Sequence, residues 1–171
     1  MYESVIETAK KHLFFRPMTP ENHDILLSGT VQKRITPDDV KLDPESQHLT
    51  CFTGGMVAIA ARIFDRPEDL DIGKKLVDGC IWVYESTPTG IMPELFRTVP
   101  CPNITSCSWD QSAWYYGVNA RQASLDSSIA PKNLDDRAEQ LIKQERLPKG
   151  FTDIRDRRYI LRCAYEYHRS T

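Results

Sequence analysis

The chain has 171 residues, of which 40% are hydrophobic and 27% are charged, and its formal net charge is −2. This composition is typical of a soluble globular domain with a packed core. The small net charge excludes a chain-wide electrostatic surface for nucleic acid, and no apolar run reaches the roughly 18–20 residues that a membrane span needs. We therefore expect one domain that binds no nucleic acid and contributes no membrane segment.

The first predicted element is a helix over residues 2–13. Its apolar positions recur on one face and comprise Tyr2, Val5, Ile6, Ala9 and Leu13. Because this segment is amphipathic and charged, we do not interpret it as a signal peptide. Targeting is then expected on a further part of the gene, or the product is cytosolic. From Pro17 to Pro44 the helical period is lost, and short apolar runs between prolines predict strands or extended loops.

Two helices are predicted next, over residues 54–65 and 68–86. The first is apolar nearly all round, which predicts burial on most sides. Pro67 ends it and is suited to the first turn of the second helix. The second helix is amphipathic, with an apolar face formed by Leu76, Val77, Cys80, Ile81 and Tyr84.

Residues 90–132 show no sustained period, and we predict long structured loops there with a short hairpin. Trp109 and Trp114 are interpreted as anchors of these loops to the core, although aromatic faces also stack on sugar rings. A last helix is predicted over residues 134–145, with Asn133 as N-cap and an inward face of Leu134, Ala138, Leu141 and Ile142.

Five cysteines are present, and none lies in a CxxC spacing, which argues against a structural zinc site. An odd number leaves at least one thiol unpaired. Cys101 and Cys107 can form a local bridge around Asn103, which begins the acceptor sequon Asn-Ile-Thr for N-glycosylation. A sequon beside cysteines that can pair favours an oxidising, lumenal compartment.

Three blocks of sequence resemble glycoside hydrolase family 47, and they occur in the family's order. Residues 48–55, HLTCFTGG, resemble the HLxCFxGG signature. Residues 79–82, GCIW, and residues 84–94, which end in PTGIMPE, together resemble the next family block, which contains PTGxxPE. Residues 156–162 resemble the run that leads into the family's LRPE motif. The resemblance covers nearly the whole chain up to Arg162 and looks closest to fungal members.

The resemblance implies a mainly α fold, a fragment of the family's (α/α)7 barrel with long loops and a small hairpin region. Residues 1–162 would form part of the catalytic domain, and residues 163–171 a divergent C-terminal tail. Members of the family are inverting, Ca²⁺-dependent α-1,2-mannosidases that trim high-mannose N-glycans in the endoplasmic reticulum or Golgi, or act after secretion. The expected partner is therefore a high-mannose N-glycan or glycoprotein, and the expected location is the secretory-pathway lumen or outside the cell.

Three residues are carried over as substrate-binding positions. His48 matches the family's histidine near the −1 mannose, Glu94 matches a carboxylate that holds sugar hydroxyls, and Arg162 matches the arginine before the catalytic base. Carboxylates and guanidinium groups are the usual hydrogen-bonding partners of sugar hydroxyls. The resemblance also implies a disulfide between Cys51 and Cys80.

The catalytic carboxylates depart from the family's pattern. Inverting hydrolysis needs an acid and a base roughly 6.5–9.5 Å apart. In the family the base glutamate directly follows the Arg-Pro of LRPE. This chain has Cys163 and Ala164 in place of that proline and glutamate, and alanine cannot accept a proton. The resemblance places the general acid and a second catalytic aspartate before Met1, and the Ca²⁺-binding threonine in a C-terminal stretch, so no metal ligand is expected in this chain. Three other carboxylates remain unranked candidates: Glu85, Asp110 and Asp153.

Three functions follow as hypotheses. The first is an α-1,2-mannosidase, the second a non-hydrolytic remnant that binds mannose or N-glycan, and the third a product without function. Ala164 favours the second and third for this polypeptide in isolation.

Overall fold

The structure is a computed structural model that describes residues 2–33, 40–125, 134–145 and 147–155. Within these residues the fold is mainly α, as predicted. The helices are α1 (Tyr2–His12), α2 (Phe52–Ile63), α3 (Pro67–Ser86), α4 (Gln111–Leu125) and α5 (Leu134–Glu145), with a 3₁₀ turn at His48–Cys51. The strands are β1 (Phe14–Phe15), β2 (Leu27–Ser28), β3 (Thr30–Lys33), β4 (Val40–Asp43), β5 (Glu45–Gln47), β6 (Leu95–Thr98) and β7 (Phe151–Arg155).

The strands form three small antiparallel sheets. β1 pairs with β2, β3 pairs with β4, and β5, β6 and β7 lie side by side in that order. The first two sheets confirm the extended structure predicted between Pro17 and Pro44. The third sheet joins segments that are far apart in the sequence, and Leu95 lies opposite both Gln47 and Arg155.

Helix α1 confirms the first predicted element, and Ile6 is buried as predicted. Val5, which the period places on the same face, is exposed instead. The buried side of α1 packs on Phe14, Leu26 and Val57. The apolar face that packs on the core is therefore narrower than the apolar face that the sequence predicts.

Helix α2 lies close to its predicted bounds, but the prediction of burial on most sides is wrong. Its buried positions are Gly54, Val57 and Ala61. A Cβ added at Gly54 would lie 2.7 Å from Val77 Cγ2 and 3.0 Å from the carbonyl oxygen of Gly73, so this face is pressed against α3. The opposite face is exposed, because packing against α3 covers only one side of the helix.

Helix α3 also has the predicted bounds, but its buried face differs from the predicted one. Val77, Ile81 and Tyr84 are exposed, and the buried residues are Asp69, Gly73, Leu76, Gly79, Trp82 and Val83. The reason is close backbone approach at the glycines. A Cβ added at Gly79 would overlap the carbonyl oxygen of Leu26. The backbone amide of Leu26 also donates to the carbonyl of Lys75 in α3, at 3.0 Å.

The prediction of long loops over residues 90–132 is wrong for residues 90–125, which contain β6 and α4, and residues 126–132 lie outside the described residues. Asp110 caps α4: its Oδ1 accepts hydrogen bonds from the amides of Ser112 (2.9 Å) and Ala113 (3.1 Å). Among the residues of this helix whose burial is described, the deeply buried apolar ones are Trp114 and Val118, one turn apart, which is consistent with the weak period.

Both tryptophans do anchor the region to the core, as predicted. Trp114 is buried and its indole Nε1 donates to the carbonyl of Phe151 at 2.8 Å, while Trp109 packs on it with ring centroids 5.3 Å apart. Helix α5 confirms the last prediction, with Ala138 fully buried and Leu141 and Ile142 against the core. Asn133 lies outside the described residues.

The main core brings the third sheet together with α3 and α4. Trp82 stacks on Phe151 with centroids 5.0 Å apart, and Phe96 meets the same ring at 5.7 Å. Because β6 and α3 both belong to this core, the loop between them, which carries the PTGIMPE sequence, is held at both ends. The arrangement of these helices within a closed barrel stays a prediction.

Candidate functional site

The structure brings His48 and Glu94 together. β5 ends at Gln47, β6 begins at Leu95, and these two residues are paired in the antiparallel ladder. The pairing extends one residue beyond the ladder. The backbone amide of His48, which follows Gln47, donates to the carbonyl of Glu94, which precedes Leu95, at 3.0 Å. The ladder therefore places two residues from separate sequence blocks side by side.

The imidazole of His48 is held by Tyr84. His48 Nε2 lies 2.7 Å from Tyr84 Oη, and the two rings meet edge to face with centroids 6.0 Å apart. Either the phenol donates to a neutral Nε2 or the imidazole donates to the phenol, depending on the tautomer. Sequence reasoning missed Tyr84, which it assigned to an apolar helix face. Its place within the second family block was the available signal.

The predicted disulfide between Cys51 and Cys80 is confirmed. The two Cα atoms are 5.9 Å apart, within the usual range for a bridge. Cys51 ends the 3₁₀ turn that begins at His48, and Cys80 lies one helical turn before Tyr84 in α3. The covalent bond therefore joins the backbone that carries the histidine to the helix that carries its hydrogen-bonding partner.

The loop that leads to Glu94 is ordered by Thr87 and Gly90. The Thr87 hydroxyl lies within donating distance of the carbonyls of Tyr84 (3.0 Å) and Ile91 (2.9 Å). Gly90 has a φ of 66°, which explains the glycine of the PTG sequence, and its amide donates to the Thr87 carbonyl at 3.1 Å. Met92 is buried beyond this turn, so Glu94 follows a fixed segment with its carboxylate exposed.

Several predicted site residues are placed elsewhere or cannot be placed. Arg162 and Ala164 lie outside the described residues. Asp110 is the cap of α4, and Asp153 is buried in an ion pair with Arg121 Nε at 2.9 Å. Both carboxylates therefore have structural roles, whereas Glu85 is an exposed residue near the end of α3.

The second bridge, between Cys101 and Cys107, is also present, and it closes the loop that carries the sequon. Asn103 is exposed, and its Oδ1 accepts hydrogen bonds from the Thr105 amide (2.9 Å) and hydroxyl (2.8 Å). On the buried side of the loop, the Arg16 guanidinium donates to the carbonyl of Thr105 at 3.3 Å. The loop is thus fixed from inside while its asparagine faces solvent.

A cluster of ion pairs around a buried carboxylate lies away from this site, where α1 meets the start of α3. Asp69 is fully buried and pairs with Lys10 and with Arg66 Nε, the latter at 2.8 Å. Burial raises the pKa of this carboxyl, but the hydrogen bonds from Lys10 and Arg66 outweigh burial and hold the pKa of Asp69 below its usual range.

The described residues contain no group of three or more His, Cys, Asp or Glu side chains that could hold a metal ion. His48 and Glu94 are thus too few to fit the family's Ca²⁺, and no chemical step is assigned to a metal here. No helix in the described part of the chain has both the length and the apolar character to cross a bilayer.

These residues offer an imidazole and a phenol in contact with each other and, on a residue bonded to His48 through the backbone, a solvent-exposed carboxylate. Glu94 can accept hydrogen bonds from two neighbouring hydroxyls, and the His48–Tyr84 pair offers a further donor or acceptor. This set is suited to the hydroxyls of a sugar. A pair of opposed carboxylates, as hydrolysis with inversion requires, is not formed by these three side chains.

Comparison with known proteins gives a consistent result. The model of the family described as glycosyl hydrolase family 47 matches residues 1–165. The chain is 37% identical over 125 residues to the mannosyl-oligosaccharide alpha-1,2-mannosidase 1B of Emericella nidulans. The aligned region covers 72% of this chain and 23% of that protein. It is 47% identical over 109 residues to a probable enzyme of the same name from Aspergillus flavus, covering 64% of this chain and 19% of that protein.

A shorter match has higher identity. Over 51 residues, 30% of this chain and 10% of the relative, it is 51% identical to a probable mannosyl-oligosaccharide alpha-1,2-mannosidase 1B of Neosartorya fischeri. The chain therefore spans less than a quarter of the length of these curated relatives.

Proposed function

This chain belongs to glycosyl hydrolase family 47, and from that membership we propose that it binds terminal α-1,2-linked mannose of high-mannose N-glycans. The observation that carries the proposal is the bond between the His48 amide and the Glu94 carbonyl, which brings two motif residues to one surface. In this proposal the Glu94 carboxylate accepts hydrogen bonds from two sugar hydroxyls, and His48, oriented by Tyr84, contacts a third.

For this chain we propose binding without hydrolysis. The resemblance places the catalytic base at the position of Ala164, whose side chain cannot take a proton from water. Arg162 would extend the binding surface from the other end of the chain. Residues 1–162 would then be the family domain, built as part of an (α/α)7 barrel, and residues 163–171 a divergent tail.

The alternative is hydrolysis of α-1,2-mannosyl bonds with inversion and with Ca²⁺ as the family's cofactor. The names of the fungal relatives favour it, since each is a mannosyl-oligosaccharide alpha-1,2-mannosidase. Under either proposal the chain works in the secretory pathway or outside the cell.

Two measurements on one preparation separate the proposals. Calorimetric titration with the disaccharide mannosyl-α-1,2-mannose measures binding, and incubation with a high-mannose glycan, with Ca²⁺ or with a chelator, measures free mannose. Binding without release supports the first proposal, and release of mannose supports the alternative. A folded chain that neither binds nor releases would refute both.

Variants test the named residues. Glu94→Gln removes a charged acceptor, and we expect it to weaken disaccharide binding by about tenfold or more. Tyr84→Phe removes only the hydroxyl that holds His48, and we expect a smaller loss of about threefold to tenfold. Glu3→Gln alters an exposed carboxylate of α1 and is the matched control, expected to bind like the parent. Equal losses in all three variants would remove the support for this surface.

The proposed compartment has its own test at Asn103. Expression through a eukaryotic secretory route should add an N-glycan, because the sequon is exposed on a loop closed by a disulfide. We expect an increase in mass that endoglycosidase removes and that Asn103→Gln abolishes. An unmodified secreted chain would count against glycosylation at this sequon.

A further inference from the structure

A cavity of about 300 Å³ lies between the third sheet and helix α4. Its lining includes residues at the end of β6, on β7 and on α4, among them Thr98, Val99, Thr152, Gly117, Ala120 and Arg121. We call it the β6–α4 cavity. Small-molecule sites span roughly 300–1,000 Å³, so this volume suits a ligand about as large as one sugar ring.

The small side chains of α4 keep the cavity open. At Gly117 the helix lies close to the strands, since an added Cβ would be 2.8 Å from Val99 Cγ2 and 3.0 Å from Thr152 Cγ2. Ala120, nearly one turn later, lines the cavity with only a methyl group and is exposed to solvent. A ligand can therefore enter beside Ala120 without displacing a packed side chain.

Two residues of the lining have polar atoms that are buried without a partner. Thr98 is 2% exposed, and no described residue forms a hydrogen bond with its Oγ1. Arg121 donates from Nε to Asp153 Oδ2 at 2.9 Å, but its buried Nη2 finds no acceptor in the described part of the chain. Buried polar groups are nearly always hydrogen-bonded, so a ligand in the cavity can supply what both atoms lack.

The charges around the cavity indicate which ligand fits. Arg97, which also lines it, pairs with Asp43 and Glu45, and Arg121 pairs with Asp153. Because each guanidinium already faces a carboxylate, an anion would find no unmatched positive charge there. The cavity therefore favours a neutral acceptor for Arg121 over a carboxylate or a phosphate.

An acetamido group combines the features that the lining requires. Its carbonyl oxygen is a neutral acceptor, its N–H is a donor that a threonine hydroxyl can accept, and its methyl group is apolar. Val99 and Pro100 provide an apolar wall beside Thr98.

We propose that the β6–α4 cavity binds the acetamido group of an N-acetylated sugar. The sugar's carbonyl oxygen accepts a hydrogen bond from Arg121 Nη2, its amide N–H donates to Thr98 Oγ1, and its methyl group packs on Val99 and Pro100. Thr98 lies four residues beyond Glu94 along β6, on the order of 13 Å away, so this site is separate from the proposed mannose site.

The natural source of the group follows from the proposed function. N-glycans join asparagine through N-acetylglucosamine, so the cavity would hold the core of a glycan of the kind whose mannose binds at His48 and Glu94. This identification of the source rests on the proposed function. Binding of the isolated N-acetylated sugar does not.

The test is an NMR titration of the ¹⁵N-labelled chain with the methyl β-glycoside of N-acetylglucosamine. We expect binding at millimolar concentrations, with shifts at residues of β6 and α4. Methyl β-glucoside, which lacks the acetamido group, and acetate, which is an anion, should each bind at least about tenfold more weakly. Acetate binding as tightly as the N-acetylated sugar would overturn the choice of a neutral ligand.

Two variants test the polar contacts. Thr98→Val keeps the shape of the side chain and should weaken binding by about threefold to tenfold, while the free chain stays as resistant to urea as the parent or becomes more so, because an unpaired buried hydroxyl is removed. Arg121→Lys keeps a positive charge beside Asp153 but removes Nη2, and we expect about tenfold weaker binding. Loss of urea resistance in Thr98→Val with unchanged binding would assign the hydroxyl a purely structural role.

A third variant tests the cavity itself. Ala120→Phe places a ring in the opening from an exposed position and should abolish binding of the N-acetylated sugar. Ser112→Phe, at an exposed position of the same helix that does not line the cavity, is the matched control and should bind like the parent. Equal binding by the two variants would overturn the proposal.

Titration of the same samples with mannosyl-α-1,2-mannose separates this site from the proposed mannose site. If only the N-acetylated sugar fails to bind to the folded parent, the β6–α4 cavity holds water alone and this proposal is wrong. If only the mannose disaccharide fails to bind, the proposed function is wrong and the acetamido site stands.

Discussion

Removing the Cys51–Cys80 bridge is the most informative perturbation of the site, because this bond joins the 3₁₀ turn of His48 to helix α3. The bridge closes a loop with a sequence separation of 29. The chain-entropy relation then gives a stabilisation of about 3.6 kcal/mol at 25 °C. For Cys101–Cys107, with a separation of 6, the same relation gives about 2.2 kcal/mol.

The double substitution Cys51→Ser with Cys80→Ser should therefore lower the free energy of unfolding by about 3–4 kcal/mol, and Cys101→Ser with Cys107→Ser by about 2 kcal/mol. The two pairs should also differ in function. Loss of the first bridge frees the backbone of His48 from the helix of Tyr84, so we expect weaker mannose binding. Loss of the second bridge leaves the His48 surface unchanged.

The assay is urea unfolding at low protein concentration, followed by tryptophan fluorescence and circular dichroism. The free energies of unfolding are compared only between variants whose dependence on urea concentration has the same slope. Disaccharide titration of the same variants, under conditions where each remains folded, supplies the second readout. The reasoning would be refuted if the 101–107 variant lost as much stability as the 51–80 variant. It would also be refuted if opening the longer loop left both stability and binding unchanged.

Three further predictions concern helix packing and charge. Asp69→Asn should cost about 3 kcal/mol at neutral pH, measured by urea unfolding, because two cationic partners lose their buried carboxylate. Since the folded-state pKa of Asp69 is depressed, its stabilisation is complete above about pH 4 and is lost as the pH falls through the folded pKa. The difference in free energy of unfolding between the parent chain and Asp69→Asn should therefore disappear in acid and persist in base. Gly54→Ala should destabilise by about 1–3 kcal/mol through overlap with α3, whereas Gly55→Ala, where an added Cβ would meet no heavy atom within 4 Å, should stabilise by about 0.5–1 kcal/mol through helix propensity. Equal effects at the two glycines would contradict the close approach of α2 and α3.

The positions of α1, α2, α3 and α5 and of both disulfides could be predicted from the sequence. The bounds of α1, α2, α3 and α5 followed from apolar spacing, from Pro67 and from the loss of period after each helix. The Cys51–Cys80 pairing came from the family resemblance, and the local pairing of Cys101 with Cys107 from their closeness in the chain. Helix α4 was not predicted, since Gly117 and Asn119 interrupt its apolar period and its start depends on the cap at Asp110.

The candidate site was predictable as a set of residues but not as a surface. Motifs selected His48 and Glu94, yet their contact depends on the pairing of β5 with β6, and no local pattern specifies which distant strand completes a ladder. Tyr84 was missed for a related reason, because helical period alone does not say which side of α3 is covered.

The sequence by itself determined the family, the mainly α character and the residue types at the proposed sugar-binding positions. Tertiary structure decided which faces are buried. On α3 the covered face runs through Gly73 and Gly79, where neighbouring backbone approaches too closely for a side chain, and Val77, Ile81 and Tyr84 of the predicted face remain exposed. A helix face is buried where another segment of the chain can approach it, and a glycine permits the closest approach. Because glycine adds nothing to the hydrophobic pattern, a prediction from that pattern misses such a face.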